Sequence, residues 1–362
     1  MVRSGDFSRS VIAETAKAVT TNYELPDNLR RHPPDLFGGT KRTAHSYSIH
    51  LMVSIVLRRI LSLIFVVFSI TLLTFIIGYL APGDPILVMM GSRRDPVIYQ
   101  RLLHQYGLDL PWWQQYLRYV GGLLQGDLGL SYKYQGRPVL DLLRHGLPIS
   151  MALGGVALLL SLVIGIPAGV LAALRQNSWL DRGLLAFMLA LYAIPSFVLI
   201  PILRVADTWL YRTGLPFLPV AGWGTPAHWV MPVIVLAAGT TGYLARLTRA
   251  SMLEVLRQDF MRTAAAKGLF PRQITWRHAF RNALLPIVTV LGPSLAFLVT
   301  GAFVVENLFA VPGIGFLAIQ AIGQRDYPVL QGTTIILAAA VVVMNLATDL
   351  TYLFLDPRIR MT

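Results

Sequence analysis

The sequence predicts an all-α integral membrane protein with six transmembrane helices and a small outer subdomain between the first two. Three observations support this fold class. Apolar residues make up 55% of the 362-residue chain, charged residues make up only 14%, and the mean hydropathy is +0.59. Soluble domains carry about a quarter charged residues. Six long apolar runs also occur, most of them at or above the roughly 20 residues that a helix needs to cross a bilayer.

These apolar runs define the predicted spans in chain order. The second run contains Gly165 and Gly169 around Pro167, at the GxxxG spacing that lets membrane helices approach closely. The fourth run is short for a span unless it includes Ala245 to Leu247. The predicted spans cover residues 60–81, 149–174, 183–203, 229–244, 284–305 and 333–355.

Polar segments divide the chain around these spans. The PGDP sequence, with Pro82 and Pro85, cannot continue a helix and is expected to end the first span. The predicted divisions are a polar cytoplasmic N-terminal extension (1–51) with a short amphipathic stretch at 10–19, a first transmembrane helix (52–81), an extracytoplasmic subdomain (82–148), a core with five transmembrane helices (149–355) that includes a cytoplasmic loop (245–283), and a cytoplasmic tail (356–362).

The distribution of Lys and Arg predicts the orientation. Short loops on the cytoplasmic side of a membrane carry an excess of these residues. If both termini are cytoplasmic, the inner segments after the N-terminal extension contain 12 Lys and Arg residues and the short outer segments contain three. The sequence therefore predicts a multi-pass membrane protein with both termini in the cytoplasm. The net charge of +13 has the same origin, so we expect membrane lipid and not nucleic acid as its partner.

A membrane transporter needs either a coupling ion or a nucleotide, and the sequence shows a site for neither. Ion-coupled carriers usually keep ionisable residues inside the membrane, and the predicted spans hold almost none. Asp349 is the clearest case, and its position near the end of the last span favours a structural role. The sequence has no GxxxxGKS or GxxxxGKT phosphate-binding loop, and it has no Cys. We therefore predict no catalytic residue, no metal site and no cofactor in this chain.

The 245–283 loop contains the sequence RTAAAKGLFPRQITWRHAFRNALLPI. Helix-forming residues continue to Lys267, Gly268 stands at a natural helix stop, and Pro271 can begin a second helix. Two short helices joined by a glycine turn form a compact surface that suits docking. Eight basic residues against two acidic ones are also what any cytoplasmic loop shows, so composition alone leaves both interpretations open.

The pattern is more specific than the composition. RTAAAKGL followed by HAFRNALLPIVT resembles the EAA loop of the dipeptide, oligopeptide and nickel permease family of binding-protein-dependent ABC importers. The resemblance extends over about 52–360 through LLTFIIGYLAPGDP, GLDLPWWQQYLRYVGGLLQGDLGLSY, SMLEVLRQDFMRTAAAKGL, VVENLFAVPGIGFLAIQAIGQRDYPVLQG and DPRIR. The large loop between the first two spans is similar to that of the B-type subunit. Arg262 stands where the generic motif has Glu, so a salt bridge made by that Glu is not carried over.

The resemblance implies a type I ABC importer (MetI-like) permease fold in a prokaryotic plasma (inner) membrane. It implies partners: a homologous second permease subunit, two cytoplasmic ABC ATPases that use ATP and Mg, and an extracytoplasmic peptide-binding protein. It also implies that a coupling helix in the cytoplasmic loop contacts the ATPase. The residues it assigns to this contact are Arg262, Thr263, Ala264, Ala265, Ala266, Lys267, Gly268 and Leu269.

The proline residues in the spans suggest a translocation path. Prolines are tolerated in membrane helices where neighbouring groups satisfy the freed carbonyls, and plain helix packing explains them as well. The functional interpretation is that kinks at Pro195 and Pro293 help to line or gate a path, together with Ser196 and Ser294. The expected function is import of di- or oligopeptides. A nickel or metal-chelate importer, and a carrier that works without ATP, remain alternatives.

Overall fold

The computed structural model describes residues 40–91, 95–134, 136–214, 218–219 and 221–355. Most of the predicted extension, including its amphipathic stretch at 10–19, and the predicted tail 356–362 lie outside these residues, and so does the side chain of Asp349. The chain divides into two compact units, with the boundary between Ile55 and Val56. The features described below lie in the second unit, except for the beginning of its first helix.

The described residues are almost entirely helical, and a bridge between Leu130 and Pro138 is the one β pairing among them. The helices are α1 Thr40–Leu80, α2 Pro85–Met90, α3 Pro96–Gln105, α4 Trp112–Leu124, α5 Val139–Leu174, α6 Trp179–Ala193, α7 Ser196–Arg212, α8 Ala227–Leu256, α9 Asp259–Ala266, α10 Pro271–Gln273, the π-helix Ile274–Phe280, α11 Arg281–Thr289, α12 Leu291–Leu308, α13 Ile314–Gln324 and α14 Tyr327–Leu355.

Five described helices are long and apolar enough to cross a membrane. The number rises to six if the bent pair α6–α7 is counted as one span. The predicted all-α membrane architecture is therefore confirmed. The five are Ile60–Leu80 within α1, Val139–Leu174, Ala227–Leu256, Leu291–Leu308 and Tyr327–Thr348 within α14.

The third predicted span, 183–203, is wrong as a continuous helix. The helix is interrupted between Ala193 and Ser196, and α6 and α7 are bent relative to each other by 113°. Pro195 has no N–H to continue the helix, and a proline disfavours helical backbone at the residue before it. Ile194 accordingly has an extended conformation, with φ −77° and ψ 119°.

Several helices are longer than the apolar runs that predict them. The fourth span extends through Ala245 to Leu247 as far as Leu256, so it is long enough to cross a bilayer. The second span begins at Val139, the last at Tyr327, and α1 at Thr40. The predicted bounds follow the apolar runs, whereas the helices continue through polar and charged positions such as Asp141.

The core is centred on α8, and two thirds of its apolar window (67%) is buried. Gly165 and Gly169 of α5 lie directly against it, because a Cβ at Gly165 would be 2.9 Å from the Thr241 carbonyl oxygen. The predicted close approach at the GxxxG spacing is therefore present. One buried cluster joins α5, α8 and α12 through Leu153, Val235 and Leu298.

The segment after the fifth span turns back and packs as the short apolar helix α13. Glu306, which has no exposed surface, holds the first turn of this helix. Its carboxylate accepts hydrogen bonds from the Ser150 hydroxyl (2.6 Å) and from the backbone N–H groups of Gly315 (2.8 Å) and Phe316 (3.1 Å). A carboxylate at a helix N-terminus accepts hydrogen bonds from otherwise unpaired N–H groups, and its negative charge interacts favourably with the positive end of the helix dipole. Glu306 thus joins α5, α12 and α13.

Candidate coupling segment and membrane cavity

The predicted coupling residues form α9 and the turn that ends it. Gly268 has φ +77°, in the left-handed region that favours glycine. Its N–H bonds to the Ala265 carbonyl (3.0 Å), and the Leu269 N–H bonds to the Ala264 carbonyl (3.4 Å). This pair of bonds is the Schellman arrangement that closes many helices. The helix, its glycine stop and the proline start of the next helix therefore agree with the pattern in the sequence.

The α9 helix has a buried face and an exposed face. Met261 and Ala264 are buried, and Met261 belongs to a cluster that includes Met252 of α8 and Ala283 of α11. Leu269 is half-buried. The exposed residues of the predicted set are Arg262, Thr263, Ala265, Ala266, Lys267 and Gly268. Ala264 therefore packs against its own chain. The surface that is open to a partner consists of the six exposed residues.

The return segment is not the simple α-helix that the sequence suggests. After Pro271–Gln273 the backbone continues as a π-helix over Ile274–Phe280. Short π-helical segments are rare and often occur at functional sites. Phe270, which directly follows the turn, exposes 73% of its surface, and Trp276 in the π-helix exposes 54%. No sequence signal distinguishes a π-helix from an α-helix here.

A buried ion pair joins the start of α6 to α8, two turns before α8 ends. Arg249 donates from Nε to Oδ1 of Asp181 (2.7 Å) and from an Nη to Oδ2 (2.8 Å). Asp181 is 2% exposed and also accepts from the Asn177 N–H at 2.9 Å. Sequence analysis did not single out either residue. Asp181 is an acidic residue in the first turn of α6, and this position could have drawn attention to it. Nothing in the sequence indicates that Arg249 is its partner.

A cavity of about 250 Å³ lies at the break between α6 and α7. Three of the four predicted path residues line it: Pro195, Ser196 and Ser294. Pro293 is not in the lining, although the fifth span is interrupted close by, at Val290. The full lining consists of Tyr192, Ile194, Pro195, Ser196, Val235, Leu236, Gly239, Thr240, Tyr243, Ser294, Phe297 and Leu298.

The cavity wall is uncharged and mixes apolar surface with hydroxyl groups. Tyr192, Ser196, Thr240, Tyr243 and Ser294 contribute the hydroxyls. A hydroxyl can donate or accept a hydrogen bond and rotates to suit its partner. The wall can therefore form hydrogen bonds with polar groups of a bound molecule without a fixed charge.

A larger cavity of about 580 Å³ lies at the predicted outer subdomain, 82–148, between the end of α1, helices α2 to α4 and the start of α14. Tyr99 and Tyr119 are among its tyrosines. The Tyr99 hydroxyl donates to Oδ2 of Asp84 at 2.7 Å, and this bond raises the pKa of Tyr99. Burial raises the pKa of Tyr119, whose hydroxyl has no hydrogen-bond partner among the described residues. Trp112 and Trp113 of α4 are about half exposed.

Asp326 connects this subdomain to the last span. One carboxylate oxygen accepts from the Ser131 hydroxyl (2.5 Å) and the Lys133 N–H (3.1 Å), and the other accepts from the Tyr132 N–H (3.1 Å). Asp326 is 2% exposed and stands directly before α14. The loop that closes the outer subdomain is thus held at the beginning of the last span.

Comparison with known families matches nearly all of this architecture. Residues 165–361 match the binding-protein-dependent transport system inner membrane component, and residues 52–154 match the N-terminal part of such membrane components. The chain belongs to this family of ABC importer permeases. Its members are permease subunits and not enzymes, and the resemblance drawn from the coupling motif is confirmed.

Within the family, similar relatives are peptide permeases. The dipeptide transport system permease protein of Bacillus subtilis is 39% identical over 86% of this chain and 99% of its own length. The corresponding dipeptide permease of Escherichia coli K12 is 38% identical, with 85% and 99% covered. The oligopeptide transport system permease protein of Bacillus subtilis is also 38% identical, over 85% of this chain and 99% of its own length.

The fold also matches a solved ABC importer. A chain of the MetNI methionine ABC transporter, in inward-facing conformations, aligns with a TM-score of 0.51 and 21% identity. The alignment covers 60% of this permease and 97% of that chain. The predicted MetI-like permease fold is therefore confirmed.

Proposed function

We propose that this chain is a transmembrane permease subunit of an ATP-driven importer for di- or oligopeptides and forms half of the translocation pathway. The observation that carries this proposal is identity of 38% to 40% with dipeptide and oligopeptide permeases over almost their whole length. The partners are a homologous second permease subunit, two cytoplasmic ATPases that bind ATP and Mg, and an extracytoplasmic peptide-binding protein. The chain itself supplies no cofactor.

The exposed face of α9 is the contact with the ATPase in this proposal. Small side chains at Ala265 and Ala266 allow a close approach, and Lys267 adds a charge beside them. The glycine turn at Gly268 and the exposed aromatic ring of Phe270 border the same surface. Together with Arg262, Thr263 and Leu269, these residues form the docking surface, and Ala264 supports it from the buried side.

Movement of α9 has a short physical route to the cavity. Only Arg257 and Gln258 separate α9 from α8, which lines the cavity with Val235 to Tyr243. The Arg249–Asp181 pair joins α8 to α6, and α6 ends at the cavity. In our mechanism, ATP closes the ATPase dimer, α9 moves with it, and α8 and α6 shift together because the ion pair links them. The cavity is then open first to one side of the membrane and afterwards to the other.

The proposed orientation has both termini in the cytoplasm of a prokaryotic cell, with α9 on the same side. It follows from the 12 Lys and Arg residues of the inner segments against three in the short outer segments. The outer subdomain, 82–148, then faces the binding protein. The first span buries only 11% of its apolar window within the chain, so its surface is available for lipid or the second permease.

Uptake by the reconstituted complex tests this function. The complex of both permeases and both ATPases is placed in liposomes with the binding protein outside and ATP inside, and entry of a radiolabelled tripeptide and of a nickel chelate is followed. We expect peptide uptake that requires hydrolysable ATP. Uptake of nickel without peptide would identify a metal-chelate importer, and peptide uptake by this chain alone without ATPases would identify an independent carrier.

A further inference from the structure

Arg246 stands out because it is an exposed cation of α8 close to the membrane cavity. Helix α8 is long and apolar enough to cross a membrane, and Arg246 lies two residues after the end of the fourth apolar run, 229–244. The described residues give Arg246 no carboxylate within ion-pair distance, whereas Arg249, one turn further on, is held by Asp181.

The position of Arg246 relates it to the membrane cavity. Gly239 and Tyr243 line the cavity, and Arg246 follows them at the next position of the same helical stripe. Its guanidinium carbon lies 5.5 Å from the centre of the Tyr192 ring, and Tyr192 is also a lining residue. The cation therefore stands next to the end of the cavity that is nearer α9.

The tyrosine orients the guanidinium without using its hydrogen-bond donors. A cation over an aromatic face is attracted by the ring quadrupole, and the N–H groups at the edge of the guanidinium stay available. Those N–H groups form a fork that fits a carboxylate with two parallel bonds. Since the described cavity lining carries no charge of its own, Arg246 supplies the positive potential at this end.

We propose that Arg246 recognises the terminal carboxylate of the peptide cargo at the end of the cavity nearer α9. The inference rests on the proposed peptide import and assigns its substrate class: peptides with a free C-terminal carboxylate. The hydroxyl groups of the cavity contact the peptide backbone, which every sequence shares, and Arg246 contacts the one anionic group that every unmodified peptide carries. This arrangement fixes one end of the cargo and leaves its side chains unselected.

Direct binding tests this proposal without the selectivity of the binding protein. The complex of both permeases and both ATPases, free of nucleotide and in nanodiscs of zwitterionic lipid, is titrated with trialanine and with trialanine amide by saturation-transfer NMR. A charge-assisted hydrogen bond contributes about 1.5–3 kcal/mol, so we expect trialanine to bind roughly tenfold or more tightly than its amide. Arg246→Gln should bind both peptides equally, at the affinity of the amide.

Two further variants complete the test. Arg246→Lys keeps the charge without the fork and should retain part of the preference, which gives a second result if Arg246→Gln does not assemble. Arg182→Gln removes an exposed arginine of α6 that does not line the cavity and should retain the full preference. The titration is then repeated with anionic lipid in the nanodiscs. If Arg246 belongs to a site for lipid headgroups, the added lipid should compete with trialanine only in proteins that contain Arg246.

Equal binding of the two peptides by the unaltered complex, or an unchanged preference in Arg246→Gln and Arg246→Lys, would overturn the inference. These results leave the proposed function in place if ATP-driven peptide uptake persists. Absence of ATP-driven uptake of any peptide by the unaltered complex with its binding protein would instead overturn the proposed function.

Discussion

At the scale of single residues, the backbone conformation of Gly268 is the main constraint on the coupling turn. A Cβ at this position would meet no atom within 4 Å, so the surroundings do not exclude a larger side chain. The φ of +77° does, because it lies where L-residues other than Asn and Asp are strained. The sequence predicts this glycine as a helix stop, and the structure adds that its role is conformational.

Replacing Gly268 by Val should weaken coupling, because a β-branched residue in the left-handed region costs at least about 1–2 kcal/mol and moves the end of α9. We expect less ATPase to co-purify and lower ATP-driven uptake. Gly268→Asn, which tolerates this conformation, is the matched control and should retain most of both. Equal activity of the two variants would show that the turn geometry does not matter for coupling.

The Arg249–Asp181 pair is predicted to stabilise the protein as well as to transmit movement. Arg249→Gln leaves a carboxylate that is 2% exposed without its charged partner; because the Arg249 side chain is itself 22% exposed, we expect a cost below the roughly 3–5 kcal/mol of a fully buried pair. The thermal unfolding midpoint in detergent should fall clearly. Adding Asp181→Asn should recover part of the loss, and a double-mutant cycle measures the interaction. Additive effects of the two substitutions would exclude the pair as a link.

At the scale of elements, the apolar runs predict which helices cross the membrane, since bilayer thickness sets their length. They do not predict where the helices end, as the beginnings of α5 and α14 show. Pro195 correctly marks a kink, but the 113° bend depends on how α7 packs afterwards. The ion pair of Asp181 with Arg249 joins positions far apart in sequence and becomes visible only when α6 and α8 are packed.

Glu306 is predicted to hold helix α13 in place. Glu306→Ala removes the acceptor for the Gly315 and Phe316 N–H groups and for the Ser150 hydroxyl. Each buried donor left unpaired costs about 1–3 kcal/mol. We expect faster hydrogen–deuterium exchange over Ile314–Gln324, with Glu254→Ala, an exposed glutamate of α8, as the control. Unchanged exchange in Glu306→Ala would contradict this role.

At the scale of the whole molecule, the proposed coupling surface and the cavity are two separate regions of the permease. The coupling surface on α9 and the cavity at the α6–α7 break are connected through α8, which has the largest buried share among the spanning helices. The family motif predicts the residues of the proposed coupling surface, and the observed α9 helix with its glycine stop agrees with the helix pattern in that motif. The cavity was predictable only in part, because Pro195, Ser196 and Ser294 meet there with residues of α8 that carry no sequence signal.

The absence of cysteine from the natural chain allows the central claim, docking of α9 on the ATPase, to be measured directly. Lys267→Cys introduces a single thiol on the exposed face of α9, and Ala264→Cys introduces one on the buried face as the matched control. The assembled complex is treated with a short bifunctional maleimide reagent, with an ATPase that carries one surface cysteine in its membrane-facing cleft. We predict that Lys267→Cys forms a cross-link whose yield changes on adding ATP, and that Ala264→Cys forms little. Absence of a cross-link from Lys267→Cys in a complex that still imports peptide would contradict the account.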